Sequence, residues 1–291
     1  MRPGSHHSDE TLGRVLKVLV DQGVGIVLDD RIMADVTNVA ECRATRWPQV
    51  ALEEIGQRCD LAIIIGGDGS MLGAARVLCQ HGTPVLGINR GRVGFLTDIS
   101  TEDLEARLHD VLMGHYVIER RFLLDAQVMR DDQRMSQLHA LNDVVLHPGQ
   151  VARMVEFSLF VDDQFVYRQR ADGLITATPT GSTAYALSAG GPLLHPSLEA
   201  MVLVPMFPHM LSSRPLVIDS GCKVSVRIER GPDVEPQLSC DGQMRLVLQP
   251  GDMINIVRKP QRLALLHPKS HDYFESCRSK LGWSSSSQES P

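Results

Sequence analysis

The chain has 291 residues, 43% of them hydrophobic and 22% charged, the balance of a soluble globular protein long enough for two domains. A formal net charge of −6 gives no basic footprint for nucleic acid or an anionic membrane surface, and no apolar run approaches the roughly 20 residues that span a bilayer. The six cysteines (Cys42, Cys59, Cys79, Cys222, Cys240 and Cys277) are scattered without zinc-ligand spacing, and the N-terminus lacks a signal-peptide core; the expectation is a cytoplasmic chain with reduced thiols and no structural metal.

Taken in order, residues 1–11 are polar and read as loop or disorder. Leu12 to Asp21 carries apolar residues at helical spacing (Leu12, Val15, Leu16, Leu19, Val20), and Val24 to Leu28 reads as a short strand. Val50 to Arg58 (helix), Leu61 to Ile65 (strand), Met71 to Gln80 (helix starting at Ser70), Val85 to Ile88 (strand) and Glu102 to Met113 (helix) continue the alternation. Such a succession predicts an α/β domain with a parallel sheet, doubly wound, over residues 1–118. Ligands of these sheets lie beyond the carboxyl ends of the strands, where Gly66-Gly67-Asp68-Gly69 and the loop Asn89 to Leu96 fall.

Gly66, Gly67 and Gly69 permit positive φ and close approach to the main chain, and a helix N-terminus behind them suits a phosphate. Asp68 is out of place beside a phosphate unless it has another task, as general base toward a hydroxyl or as holder of a metal that carries the phosphate. The alternative is a strand-to-helix turn whose Asp caps the helix. Local chemistry leaves both open.

From Phe122 onward the pattern changes to short segments with strand character: Leu123 to Met129, Gln137 to Leu146, Val155 to Val161, Gln164 to Arg170, Val217 to Asp219, Lys223 to Ile228, Gln237 to Ser239, Arg245 to Gln249 and Met253 to Val257. These predict a β-rich, β-sandwich-like domain over 119–268. A helix within 269–283 is expected to return to the first domain, and the serine-rich tail 284–291 to be disordered. Between Arg170 and Pro192 the chain packs small hydroxyl residues and glycines at a density that regular elements tolerate poorly. That composition suits a close-fitting polar site, although a tight loop before a helix capped by Ser182 or Thr183 would also account for it.

Six blocks together resemble the bacterial ATP-dependent NAD kinases: Gly66 to Gly69; Gly87-Ile-Asn-Arg-Gly91 with Gly94-Phe-Leu96; Asn142-Asp143; Asp172 to Pro192; Pro205-Met-Phe-Pro-His209; and Ser239-Cys-Asp-Gly-Gln243. They stand in the family's order and cover roughly residues 50 to 282. The resemblance implies an NAD kinase/diacylglycerol kinase-like fold and phosphorylation of NAD at the 2′-hydroxyl of its adenosine ribose. ATP and NAD would be the substrates, with a divalent cation (Mg2+ or Mn2+) accompanying ATP, in a homodimer or homotetramer.

By position, the resemblance makes Asp68 the catalytic base, with Gly69 at the dinucleotide. Asn142, Asp143, Arg153, Arg170, Asp172 and Gln243 match positions that hold the dinucleotide's polar groups, and Thr183, Ala184, Tyr185, Ala186, Leu187 and Ser188 match its hydroxyl and tyrosine wall. His139, His147, His195 and His209 are expected to be structural. The family opens with an apolar strand ahead of the helix matched by Leu12 to Asp21, whereas this sequence opens at Met1-Arg-Pro-Gly-Ser; the expectation is that the first strand lies upstream of Met1. Two further functions share features with this reading: a lipid or sphingoid hydroxyl kinase, which has the same Gly-Gly-Asp-Gly turn, and a non-catalytic NAD(P)-binding module.

Overall fold

A computed structural model describes residues 6–32, 47–90, 94–149, 153–229 and 235–283. The expected tail 284–291, Cys42 and part of the second glycine loop lie outside the described residues. The elements are α1 (His6–Asp21), β1 (Leu28–Asp29), β2 (Gln49–Val50), α2 (Leu52–Arg58), β3 (Ala62–Ile65), α3 (Asp68–Leu78), β4 (Val85–Ile88) and α4 (Leu104–Leu112). They are followed by β5 (Tyr116–Arg130), β6 (Gln133–Ala140), β7 (Asp143–His147), β8 (Val155–Val161), β9 (Gln164–Ala171), β10 (Gly173–Ala177) and α5 (Tyr185–Ser188). The chain closes with β11 (Ala200–Met206), β12 (Leu216–Asp219), β13 (Val224–Ile228), β14 (Gln237–Cys240), β15 (Met244–Val247), β16 (Met253–Pro268) and α6 (Tyr273–Leu281).

The chain forms two compact units, Met1–Glu119 with Leu263–Pro291, and Arg120–Arg262. In the first unit β3 runs parallel to β4, with Ile63 opposite Leu86, and β4 runs parallel to the end of β16, with Leu265 opposite Val85. Val15 and Val18 of α1, Leu104, Leu108 and Val111 of α4, and Leu86 and Ile88 of β4 share one apolar core. The helical spacing of these residues puts them on one face of each helix, so burying that face is what holds α1 and α4 in place. Asp272 caps α6 by accepting the Phe274 N–H at 2.8 Å, and Gly282 ends it at φ 70°.

Three expectations for this unit are corrected. The helix α1 starts at His6 instead of Leu12, since no glycine or proline interrupts the polar residues after Gly4. The strand placed at Val24 to Leu28 shrinks to Leu28–Asp29, which pairs with Gln49–Val50; Val24 to Val27 have no ladder partner among the described residues. Val50 therefore belongs to a strand and not to the following helix.

The second unit is built on antiparallel strand pairs. One sheet has the order β12-β11-β10-β7-β14-β15. Opposite it in sequence pattern, β13 pairs with β8 and with the start of β16, β8 pairs with β9, and β5 pairs with β6. Alternate residues of β5 (Phe122, Leu124, Ala126, Val128) join Val144, Leu146, Phe157, Leu159, Leu203 and Val226 in the main core. The other face of the six-stranded sheet is buried as well, with Val145, Ile175, Ala177, Val202 and Val204 packing against Ala186 and Leu194. Covering both faces removes the polar alternation of β10 and β11 and leaves near-continuous apolar runs. The segment expected as one strand from Gln137 to Leu146 is two, β6 and β7, broken at Leu141-Asn142.

Candidate functional site

Two places bring the chemistry-bearing residues together, one in each unit. In the first, β3 ends at Ile65 and the chain turns through Gly66 and Gly67 into α3. Gly67 is the extended N-cap residue, and its carbonyl accepts the N–H groups of Ser70 and Met71. Asp68 is thus the first residue of the helix, two positions earlier than the spacing predicts, and its side chain does not cap it. Instead its carboxylate reaches across to the second glycine loop, where Phe95 N–H donates to Oδ2 at 3.0 Å and Leu96 N–H to Oδ1 at 3.2 Å. The reading of Asp68 as a capping residue is corrected by those contacts. A Cβ at Gly94 would fall within the space of the Asp68 carboxylate, so the close approach of loop and carboxylate requires glycine there. Gly69 is exposed in the first turn of α3, at the positive end of the helix dipole.

In the second unit a cleft of about 840 Å³ runs along β7, from Asn142 and Asp143 through Val145 to His147 and Gly149. Asn142, Asp143, Arg153, Asp172, Ala184 and Tyr185 line it, six of the residues named from the sequence. Arg170, Thr183, Leu187, Ser188 and Gln243 stand outside that lining, and Ala186 is buried in the core beneath the sheet. Thr178 ties the small-residue stretch to the cleft: its hydroxyl donates to the Leu141 carbonyl at 2.6 Å, and its N–H donates to the Asn142 carbonyl at 2.9 Å. The stretch is therefore a strand (β10) running into a hydrogen-bonded turn, built around Thr178 and Ser182.

Sequence reasoning passed over Asp241 as a site residue, along with His147, Phe207, Ser239 and Arg245 of the same lining. Asp241 and Gly242, with φ of 51° and 64°, are the central residues of a turn in the three-residue connection from β14 to β15, closed by Gln243 N–H donating to the Cys240 carbonyl at 3.0 Å. Asp-Gly between two strand-like segments was the signal that would have found it. The turn aims the Asp241 carboxylate at the break between β6 and β7, where it accepts N–H bonds from Leu141 (3.1 Å), Asn142 (2.8 Å) and Asp143 (3.3 Å).

Asp143 is 5% exposed. Burial, and then the charge of Asp241, push its carboxyl up to about 7. His147, in the same lining, is moved the other way, lowered by burial and by the Arg245 guanidinium. Such a cleft offers in Asp143 a carboxyl that changes state near neutrality, in a lining shared with the aromatic side chains of Tyr185 and Phe207 and the cations of Arg153 and Arg245.

Among the described residues one group of three metal-ligating side chains comes together, Asp98, His267 and His271 in the first unit. The two imidazoles are stacked, centroids 4.1 Å apart at 22°. Their in-plane lone pairs thus run in nearly parallel planes, which suits hydrogen bonds to Asp98 better than convergence on one cation.

Residues 1–116 match the ATP-NAD kinase N-terminal domain, and residues 141–267 match the ATP-NAD kinase C-terminal domain. The chain is 54% identical over 284 residues to the NAD kinase of Chromohalobacter salexigens, covering 98% of this chain and 95% of that protein. It is 53% identical over 285 residues to the NAD kinase of Pseudomonas aeruginosa, covering 98% and 94%. Its structure is similar to that of yeast NADH kinase complexed with NADH, with a TM-score of 0.85 and 26% identity over 100% of this chain and 88% of that one. An NAD kinase from Archaeoglobus fulgidus in complex with ATP is similar at a TM-score of 0.66 and 28% identity, over 88% and 96%. Fold and matches together define a two-domain nucleotide-dependent phosphotransferase. The chain belongs to the bacterial NAD kinase family, and its activity is that of an NAD kinase.

Proposed function

We propose that the chain transfers the γ-phosphoryl of ATP to the 2′-hydroxyl of the adenosine ribose of NAD, giving NADP, with Asp68 as the general base. The ribose oxygen attacks the γ-phosphorus while its proton passes to the Asp68 carboxylate. The bond from the γ-phosphorus to the bridging oxygen breaks, and its electron pair leaves on ADP. A secondary hydroxyl is a poor nucleophile until its proton has a destination, and Asp68 supplies that while Phe95 and Leu96 N–H hold the carboxylate in one orientation.

The reading of the second unit follows from the cleft. Asn142, Asp143, Asp172 and Arg153 offer donors and acceptors for ribose, amide and phosphate groups, and Tyr185 offers a ring face. Gly69, Arg170, Thr183, Ala184, Ala186, Leu187, Ser188 and Gln243 complete the proposed dinucleotide-binding set. The divalent cation, Mg2+ or Mn2+, arrives with ATP as part of the donor and neutralises phosphate charge. The enzyme would work in the cytoplasm as a homodimer or homotetramer; none of its described helices is long and apolar enough to cross a membrane.

The observation that carries this reading is the pair of backbone N–H groups on Asp68, in a chain whose relatives at 51–54% identity are NAD kinases. Lipid kinases share the glycine turn, and a binding-only module would share the cleft. Incubation with ATP, Mg2+ and either NAD or diacylglycerol separates them: NADP should form and no phosphatidate. Phosphorylated lipid, or binding of NAD without turnover, would replace the proposal with one of the other two.

A further inference from the structure

We propose that His267 is a positioning residue for the phosphoryl transfer, acting on Asp68 through Asp98 and the segment Gly94 to Ile99. The inference rests on the reading of Asp68 as the base.

The segment that holds Asp68 is itself held at three points, all in the first unit. Thr97 is fully buried, and its hydroxyl oxygen accepts Asn89 Nδ2 at 3.0 Å and the Gly94 N–H at 3.2 Å. The Ile99 carbonyl accepts the Asn89 N–H at 2.8 Å, which joins the segment to the end of β4. Between them, Asp98 is gripped by His267 Nδ1 and approached by His271 Nδ1 at 3.2 Å. His267 lies near the end of β16, just past Leu265 and Leu266, which pair with β4; it is 1% exposed, and its Nε2 meets Glu119 Oε2 at 3.1 Å.

A buried imidazole is costly unless it is paired, and here a carboxylate stands at each ring nitrogen, Asp98 at Nδ1 and Glu119 at Nε2. Burial opposes charge on the ring, but the hydrogen bonds to Asp98 and then Glu119 outweigh it and lift His267 to about 9. The two carboxylates thus favour the charged ring, and His267 and His271 hold Asp98 well below the usual carboxylate range, although burial opposes that too. The groups that face His267 are Asp98, Glu119 and the stacked ring of His271. Only one residue separates Asp98 from Leu96, whose N–H orients the Asp68 carboxylate. A shift of Asp98 moves that donor, and small displacements of a catalytic group cost large factors in rate.

His267→Ala removes the grip on Asp98, whereas His267→Asn places an amide N–H where Nδ1–H stood. In His267→Ala, kcat should fall about 10- to 100-fold while KM for NAD stays within about 3-fold. Hydrogen–deuterium exchange over residues 94–99 should quicken in parallel, and His267→Asn should recover most of both. Should His267→Ala not fold, Asp98→Asn cuts the same link from the loop side and is read the same way. Unchanged exchange over 94–99, or unchanged kcat, overturns the proposal. Asp68→Asn assayed alongside keeps the two ideas apart: surviving NADP formation there removes the base, while the exchange result in the His267 variants stands by itself.

Discussion

The carboxylate of Asp241 accepts the backbone N–H of Asn142 at 2.8 Å, and so fixes the break between β6 and β7 at the point where it faces the cleft. With Leu141 and Asp143 also donating, one side chain satisfies three amides that strand pairing leaves over. Asp241→Ala should cost about 1–3 kcal/mol of stability, the penalty for leaving buried donors unpaired. KM for NAD should rise by about 10-fold or more, because a loss of ~1.4 kcal/mol in binding is a factor of ten. Asp241→Asn keeps an acceptor oxygen and should lose less. Melting curves and steady-state kinetics measure both, and a folded Asp241→Ala enzyme with the original KM would show that the cleft does not depend on this turn.

Asp143 makes stability fall with pH. Its folded-state carboxyl, at about 7, lies above the ordinary carboxylate value of 3.8, first through burial and then through Asp241. A group raised in this way adds stability in full below the unfolded value, and that contribution is lost as pH rises from about 4 through about 7. The loss is on the order of 4 kcal/mol at about 1.4 kcal/mol per pH unit. Asp143→Asn should therefore flatten the decline of Tm between pH 5 and pH 8. A dinucleotide group that donates to Asp143 favours its ionised form, so NAD binding near pH 7 should release a proton. Calorimetry in buffers of different ionisation enthalpy reads that release; identical enthalpies in all buffers would remove Asp143 from the contact.

Gly94→Ala tests the approach of loop to carboxylate. The added methyl group would occupy the space of the Asp68 carboxylate, the end of a side chain that can swing away, so the fold should persist while that carboxylate is displaced. The expectation is a kcat lowered about 100-fold with KM for NAD little changed. A variant as active as the parent would mean that the orientation seen for Asp68 is not the working one.

Much of this was legible in the chain itself, and the reasons for the failures are physical. β3, β4 and α4 declare themselves by apolar spacing within two residues of their ends. β10 and β11 do not, because both faces of their sheet are covered and the polar alternation that marks a strand is absent. β6 begins four residues before the expected point, because Asp131-Asp132, both at positive φ, form the hairpin turn ahead of it. The same Asp-Asp turn recurs at Asp162-Asp163. Of the candidate site, Asn142, Asp143, Asp172 and Tyr185 came from ordered motifs and share one cleft. Asp241 escaped because its part is to hold a backbone, which leaves no mark beyond a turn. His267, Asp98 and Glu119 lie far apart in sequence; the pairing of β16 with β4 is a long-range contact that brings the histidine into the first unit's sheet.

The central claim is that Asp68 takes the proton from the ribose hydroxyl, and it is tested most directly by Asp68→Asn. The amide has the size of the carboxylate and can still receive an N–H from the Phe95–Leu96 pair, but it has lost the proton-accepting charge. NADP formation at saturating ATP and NAD should fall about 10²- to 10⁴-fold, with the dissociation constant for NAD within a few-fold of the parent. An Asp68→Asn enzyme that makes NADP within about 10-fold of the parental rate would contradict the account, since a general base is worth more than that.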